Sequence, residues 1–514
     1  MPLDFEIARS SAPAAPERTD IACFVGHVAR RRTPLPGQVT AELRAAGWID
    51  GPWRRDQAQI QALEQLPVTV ESWEAFDRLF DWRARPLSAS GGGTCASYLG
   101  AAVRRFFAQG GQRAVVVRTG DPWPYLEEAG ARAANRSARL RRLLPGFETT
   151  SQPFNPTDPT TWRGVHHLYG LPEVSLVCLP DLPDACASDP PEPDATLPLA
   201  PISEGFVECS ESEPAPPDDL ALRHLNAPRS DGDRLDVWAA ALGGARDFLF
   251  AHRRDAILVG ALPLMTGALA ERDPLRYLED RGIVRASGRT ALGASSAFVQ
   301  IGYPWLSARG SSDLPQLLEP PDGLLCGLIA AGALARGTFR SVAGTLLPAV
   351  TDTEPVPSWG LTAGTPWVSL AERICLVARQ PDGWALQSDV TTSPDAAWRA
   401  GGVTRMMASL VRAARATGEA VLFSGNGPAL WTMVRRHLES LLTAYWQEGG
   451  LGGESPDDAF EVRCDRSTMT QNDLDSGRLV ARITVLPVAA VERLTVVLAL
   501  SAAGQLVGEI REVA

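Results

Sequence analysis

The sequence predicts an α/β and α+β multidomain protein, with an α/β core domain followed by a mixed C-terminal domain. Three observations carry this. The chain has 514 residues, beyond the roughly 250–300 at which one hydrophobic core stops growing, so two to four domains are expected. Hydrophobic residues make up 45% and charged residues 21%, which are globular values. Short apolar strands alternate with amphipathic helices through most of the length, the pattern of a sheet with crossover helices.

Taken in order, Ala22–Val28 reads as a buried strand. The segment 72–80 reads as a helix capped by Ser72, with Trp73, Phe76, Leu79 and Phe80 on one side. A second helix opens at Thr94, which is read as its cap. Its apolar residues Tyr98, Leu99, Ala102, Val103, Phe106 and Phe107 form one stripe, and Gly110-Gly111 ends it. Strand Ala114–Arg118 follows at once. Further strands are expected at Val174–Leu179, Ala256–Leu262, Ala297–Tyr303, Arg373–Ala378 and Ala420–Phe423. Helices fit Leu235–His252, Gly323–Arg336, Trp398–Thr417 and Pro428–Gln447, the last with a stripe of Trp431, Val434, Leu438, Leu441, Leu442 and Tyr445. Near the C-terminus, Arg478–Val488, Leu494–Leu500 and Gln505–Arg511 read as strands.

Composition excludes several chemistries. The chain has no lysine, so all 49 basic residues are arginine. A Schiff-base lysine and a phosphate-loop GK[ST] are therefore impossible. The eight cysteines contain no CxxC pair and several sit in apolar runs, so they read as small buried hydrophobes. His166-His167 is the one adjacent histidine pair, and neighbours on regular structure point apart. Gly91-Gly92-Gly93 reads as a flexible loop rather than a phosphate cradle, and Asp473–Gly477 as a tight turn rather than a calcium loop. No GxSxG, HExxH or GxGxxG stands in a useful context. No catalytic constellation, cofactor or metal site is expected.

Net charge is −11, and one segment accounts for it. Eleven acids and nine prolines lie between Asp181 and Asp219 without a single arginine. Such a stretch reads as an outward, exposed excursion. Nucleic acid is not an expected partner. Conversely, Ala101–Pro145 carries nine arginines against three acids, a net of +6. That patch is either a solvated helix face or a surface for contact between copies. No apolar run reaches the ~18 residues that span a bilayer. The first twenty residues carry Asp4, Glu6, Arg9, Glu17 and Arg18, unlike a signal peptide, so a soluble cytoplasmic chain is expected.

The ends hold the most informative pattern. Leu3, Phe5 and Ile7 alternate with Asp4 and Glu6 as a short strand, followed by an Ala/Pro linker over residues 10–19. Burying the three apolar residues yields at most ~5–9 kcal/mol, whereas ordering about eight residues costs ~8–16 kcal/mol. Alone, the arm stays loose. A sheet edge that supplies hydrogen bonds would order it, and the linker lets that edge belong to another molecule. Tails that simply fray are the alternative.

Four C-terminal pieces carry a family resemblance: Asn426–Trp431, Gly449–Gly453, Phe460–Asp465 and Thr468–Leu479. In order and spacing these resemble the closing domain of contractile tail sheath proteins of phage tails, tailocins and phage-like contractile injection systems. The likeness continues upstream through Tyr98–Phe107, Gly110–Val117, His167–Val174, Tyr303–Trp305 and Glu319–Gly323. The resemblance implies a structural subunit, not an enzyme, stacked in rings around an inner tube and contracting to drive it. It implies a C-terminal sheath domain completed by strands from neighbouring subunits, with Leu3, Phe5, Ile7, Leu506, Val507 and Ile510 as the inter-subunit arms. It also implies a helix resting on the tube, for which Pro428–Gln447 is the candidate with Arg436 and Glu439 as polar contacts. Implied partners are further copies or sheath paralogues, the inner tube protein, and baseplate and cap proteins, with no nucleic acid and no membrane insertion.

The domain plan expected from these readings is an arm and linker at 1–20, a core from 21–120 with 235–345, an outward insertion at 121–234, and the C-terminal sheath domain at 346–514. The N-terminal strand is shorter than is usual in that family. A minor or baseplate-proximal paralogue, or a non-contracting adaptor of the same particle, is therefore the alternative, with a hydrolase as the remote one.

Overall fold

The computed structural model describes residues 18–148, 154–188, 222–266, 273–285, 294–357, 366–420, 426–488, 494–500 and 506–512. Eight strands form the central sheet: β1 (Ala22–His27), β2 (Pro67–Val70), β3 (Ala114–Gly120), β4 (Leu176–Cys178), β5 (Ile257–Ala261), β6 (Val299–Tyr303), β7 (Cys375–Gln380) and β8 (Gly383–Leu386). Their spatial order is β8-β7-β6-β5-β4-β1-β3-β2. The six inner strands run parallel, and β2 and β8 close the edges antiparallel. β1, β3, β4, β5 and β6 are buried along their whole length, as a parallel sheet covered on both faces requires.

Alternation along β1 sends Phe24 to one face and Cys23 and Val25 to the other. On the Phe24 side lie helices α1 (Tyr98–Ala108) and α4 (Asp322–Arg336), joined to the sheet through Phe106, Leu325 and Ile329. The opposite face is covered by α2 (Ala131–Leu143) and α3 (Gly232–His252) through Leu140, Leu143, Trp238 and Leu242. α1 and α4 touch so closely that a Cβ on Gly323 would stand 2.4 Å from the Ala102 carbonyl oxygen. Arg105 of α1 is ion-paired with buried Glu319, and Tyr98 meets Trp305 edge-on with ring centroids 5.6 Å apart. Three of the sequence pieces that carry the family resemblance thus converge on one packing contact.

The C-terminal domain stacks α5 (Gly401–Ala420) and α6 (Pro428–Gln447) on a four-stranded antiparallel sheet of β9 (Phe460–Arg463), β10 (Leu479–Val485), β11 (Leu494–Leu500) and β12 (Leu506–Glu512). Met406, Leu410, Trp431, Leu438, Leu442 and Ile483 form its core. Glycine is required at the turn after α6: Gly449 has φ +77°, and a Cβ on Gly450 would press 3.0 Å from the Phe339 ring.

Several expectations are corrected here. α1 begins at Tyr98 and is capped by Ser97, which accepts from Gly100 N at 3.3 Å, whereas Thr94 sits in a two-residue strand before it. Ser72 does cap its helix, accepting from Ala75 N at 3.1 Å. The expected insertion 121–234 contains β4, a strand in the middle of the sheet, because its apolar Leu176–Cys178 is long enough to pair with β1 and β5. The expected C-terminal domain from 346 begins with β7 and β8, which belong to the central sheet. Ala420 is helical and residues 421–423 of the expected strand lie outside the described residues.

α5 joins the two parts across the N-terminal ends of the parallel strands. Arg412 donates to the carbonyl oxygens of Arg18 and Asp255 at 2.7 Å each, just ahead of β1 and β5. Asp255, fully buried, also receives Arg253 and Arg415 at 3.0 Å each. Two turns earlier, Arg405 grips Asp389 at 2.7 and 2.8 Å and Gln300 Oε1 at 3.0 Å. Burial pushes the Asp389 carboxyl up, but Arg405 outweighs it and holds the group below the usual carboxylate range. Breaking this pair by Arg405→Ala strands a buried charge and is expected to cost ~3–5 kcal/mol. Denaturant midpoints check this, and an apolar double replacement of Arg405 and Asp389 is expected to lose much less.

Candidate functional site

The strand order β3-β1-β4-β5 reverses direction between β1 and β4. In open α/β sheets the carboxyl ends at such a point form the ligand crevice. Here the chain fills that crevice with its own carboxylate. Asp181 accepts from His27 N at 2.6 Å and from Leu99 N at 3.3 Å, at the N-terminal turn of α1. An anion such as phosphate commonly occupies that position. Gly26 makes the approach possible, since a Cβ there would lie 2.3 Å from Asp181 Oδ2.

Asp322 opens α4 close by, with Oδ1 accepting from Gly323 N at 2.8 Å. Burial, aided by the Asp181 charge, pushes its pKa up to about 7 against hydrogen bonds that favour the anion. Because the folded value is raised above the ~3.9 of an unfolded chain, the stability it contributes is full below about pH 4 and is lost as pH rises through about 7. Asp322→Asn is expected to remove this loss, so that melting temperatures of variant and parent diverge in the variant's favour as pH rises from about 4 to about 7 and keep a constant difference above that.

The histidine pair is structural. His167 is fully buried beside Trp48 and Trp162. Desolvation holds it well below its ordinary pKa and lowers His166 to about 4. Seven cysteines are described, and all are buried and free, as read from the sequence; Cys209 lies outside the described residues. Among the described residues no group of three His, Cys, Asp or Glu side chains stands close enough to hold a metal. Thr470 and Asp473 form a capping box, which accounts for the Asp473–Gly477 turn.

Neither charge patch has the form expected of it. Arg132, Arg136 and Arg139 point inward: Arg132 donates to Asp184 at 3.0 Å, Arg136 to the Ala187 carbonyl at 3.0 Å, and Arg139 pairs with Glu127. Asp181 and Asp184, the first acids of the expected exposed excursion, are buried partners. The reason is reciprocal: inward cations neutralise the inward acids, so neither set faces water. The remaining acids, from Asp189 on, lie outside the described residues.

On α6, Arg436 is exposed and Glu439 is half-buried, pairing at i,i+4 with Arg435 rather than with Arg436. Met433 is 45% exposed one turn before Arg436, so an apolar and a cationic side chain share the open face. Leu506, Val507 and Ile510 stand in β12, in register with Leu500, Ala499 and Val496 of β11 of the same chain. Within one chain this strand pairs antiparallel with β11. Leu3, Phe5 and Ile7 lie outside the described residues. Sequence reading missed the joint itself; its signal was Arg405, Arg412 and Arg415, spaced by seven and three on an otherwise apolar helix.

The architecture is thus a doubly wound core whose switch point is closed by its own carboxylate, clamped to an antiparallel C-terminal sheet. This chain has the fold of contractile sheath structures. A chain of the anti-feeding prophage (AFP) baseplate in the contracted state is similar at a TM-score of 0.57 and 15% identity, covering 96% of this chain and 95% of that one. A chain of the PVC sheath complex of an extracellular contractile injection system, contracted, gives 0.51 and 16%, covering 95% and 94%. The contracted AFP helical sheath gives 0.50 and 17%, covering 94% and 95%. No protein-family model and no curated protein matches the chain.

Proposed function

We propose that this protein is a structural subunit of a contractile sheath that surrounds the inner tube of a phage-tail-like injection particle. It polymerises into stacked rings and contracts to drive the tube. The observation that carries the reading is a shared fold over about 95% of both chains with sheath structures of two injection systems, core and C-terminal domain together. The closed switch point is consistent with it, since the crevice where such folds bind ligands holds Asp181 instead. No helix among the described residues is long and apolar enough to cross a membrane. The terminal segments are the tethers in this reading, with Leu3, Phe5 and Ile7 at one end and Leu506, Val507 and Ile510 at the other. The partners are further copies, the inner tube, and baseplate and cap proteins, assembled in the bacterial cytoplasm. A baseplate-proximal paralogue is the second reading, favoured by the 0.57 similarity to a chain of a baseplate structure.

Electron microscopy of purified protein is the direct test: tubes or rings support a sheath subunit, and dispersed monomers at high concentration overturn it. Deleting Met1–Arg9 is expected to leave the circular-dichroism spectrum and melting temperature unchanged while abolishing tubes, and normal tubes from the truncated chain would refute the tether. Arg436→Glu is expected to weaken co-sedimentation with the inner tube protein about tenfold while leaving folding intact, as for loss of one charged contact at a centre. Unchanged binding would remove α6 from the tube surface.

A further inference from the structure

Residues 154–170, ahead of β4, lie against the C-terminal turn of α3 through a cluster of aromatic rings. Phe154 is its centre: the ring centroid of His166 stands 4.5 Å away, that of His252 5.0 Å, of Phe248 5.4 Å and of Tyr169 5.8 Å. Both imidazoles also rest on Phe248, His166 at 5.2 Å and His252 at 4.9 Å. Spacing explains the meeting. His166 and Tyr169 are three apart on the 3-10 turn Gly164–Gly170, where side chains at that interval eclipse. Phe248 and His252 are four apart on α3 and so share one face of it. The seam thus joins a segment to a helix through rings alone, two of them titratable near neutral pH.

His166 is buried, and its Nδ1 has no hydrogen-bond partner among the described residues. The charge that bears on it is that of His252. The charged groups of the surrounding elements are engaged elsewhere. Arg55 and Arg163 act on His167, Asp247 pairs with Arg246, and Asp158 accepts from Thr160 N. Arg253 is taken up by Asp255 and by the carbonyls of Leu168, Leu171 and Val174. Tyr169 is the remaining titratable ring. We propose that the seam is an acid-released latch: with both imidazoles neutral it fastens residues 154–170 to α3, and once both are protonated the segment parts from the helix. One imidazolium can be attracted to an aromatic face. Two that share Phe154 and Phe248 repel, with no carboxylate between them to answer the charge. Burial already lowers both imidazoles, His166 to about 4. Since a free imidazole titrates at ~6.5, the latch is full above that pH and weakens as pH falls toward about 4. This sign is opposite to that at Asp322, so neither effect imitates the other. Arg253 sets the limit of opening, because its bonds to Leu168, Leu171 and Val174 tie down the end next to β4. The segment is therefore freed from Phe154 inward while the sheet stays folded. The latch does not depend on the sheath reading.

Hydrogen exchange on the full-length protein at about pH 7.5, 6 and 5 tests this, with labelling times scaled to the intrinsic exchange rate at each pH. Peptides covering 154–166 are expected to lose protection roughly tenfold between about pH 6 and 5, since opening takes up about one proton for each imidazole it frees. Peptides of β1 and β3 are expected to keep theirs. His166→Phe with His252→Phe should hold the protection of 154–166 level over the same range, because no ring in the seam then gains a proton there. The two replacements are also made singly, each expected to shrink the pH dependence, so that a packing defect at one position leaves the other readable. Phe154→Ala should leave the segment fast at every pH, since both imidazoles lose the ring they share. Level protection in the parent down to about pH 5 overturns the proposal. So does an equal fall in the double variant, which would put the titration elsewhere, and so does a simultaneous fall in β1 and β3, which would be unfolding of the whole core.

Discussion

Two buried aspartates hold this molecule together. Asp255 is reached by Arg253, Arg412 and Arg415, and Asp389 by Arg405. A carboxylate taken out of water is tolerated only where charge and hydrogen bonds replace the lost solvation. With no lysine in the chain, guanidinium groups do this at both, and their planar fork satisfies carboxylate and carbonyl oxygens together. Arg412 shows the consequence. It reaches Asp255 and, through the Arg18 carbonyl, the root of the N-terminal arm. Core sheet, C-terminal domain and arm root are thereby fixed relative to one another at a single junction.

That junction lies at the N-terminal ends of the parallel strands, and the opposite ends are closed differently. There Asp181 takes the place an external anion would occupy at the start of α1. A fold that in many proteins cradles a ligand is in this one satisfied from within. Both ends of the sheet are therefore spent on internal cohesion, leaving surfaces, edges and termini for work. The proposed sheath role asks for such a body, one that stays intact while its interfaces exchange.

Pattern made much of this legible. The stripe on Pro428–Gln447 has the periodicity of one buried helix face, and the helix occupies that span. Apolar runs at β1, β5 and β6 declare strands because so few other elements bury consecutive residues. Charge misled where composition was taken for exposure. Arg132, Arg136 and Arg139 read as a basic surface, yet each is turned inward to an acid or a carbonyl outside its own helix. The domain boundaries failed for a related reason, since strand order in a parallel sheet is set by pairing across crossovers and not by position along the chain.

By itself the sequence determined most of the helices and strands and that no lysine chemistry operates, because each of these is a local property of side-chain size, charge and spacing. Only the tertiary structure decided that β4 sits mid-sheet, that α5 clamps the sheet through Asp255 and Asp389, and that Asp181 closes the crevice. These depend on partners separated by many residues, as with Arg412 and Arg18. Whether a buried charge is met by its counter-charge is settled in space and leaves no periodic trace along the chain.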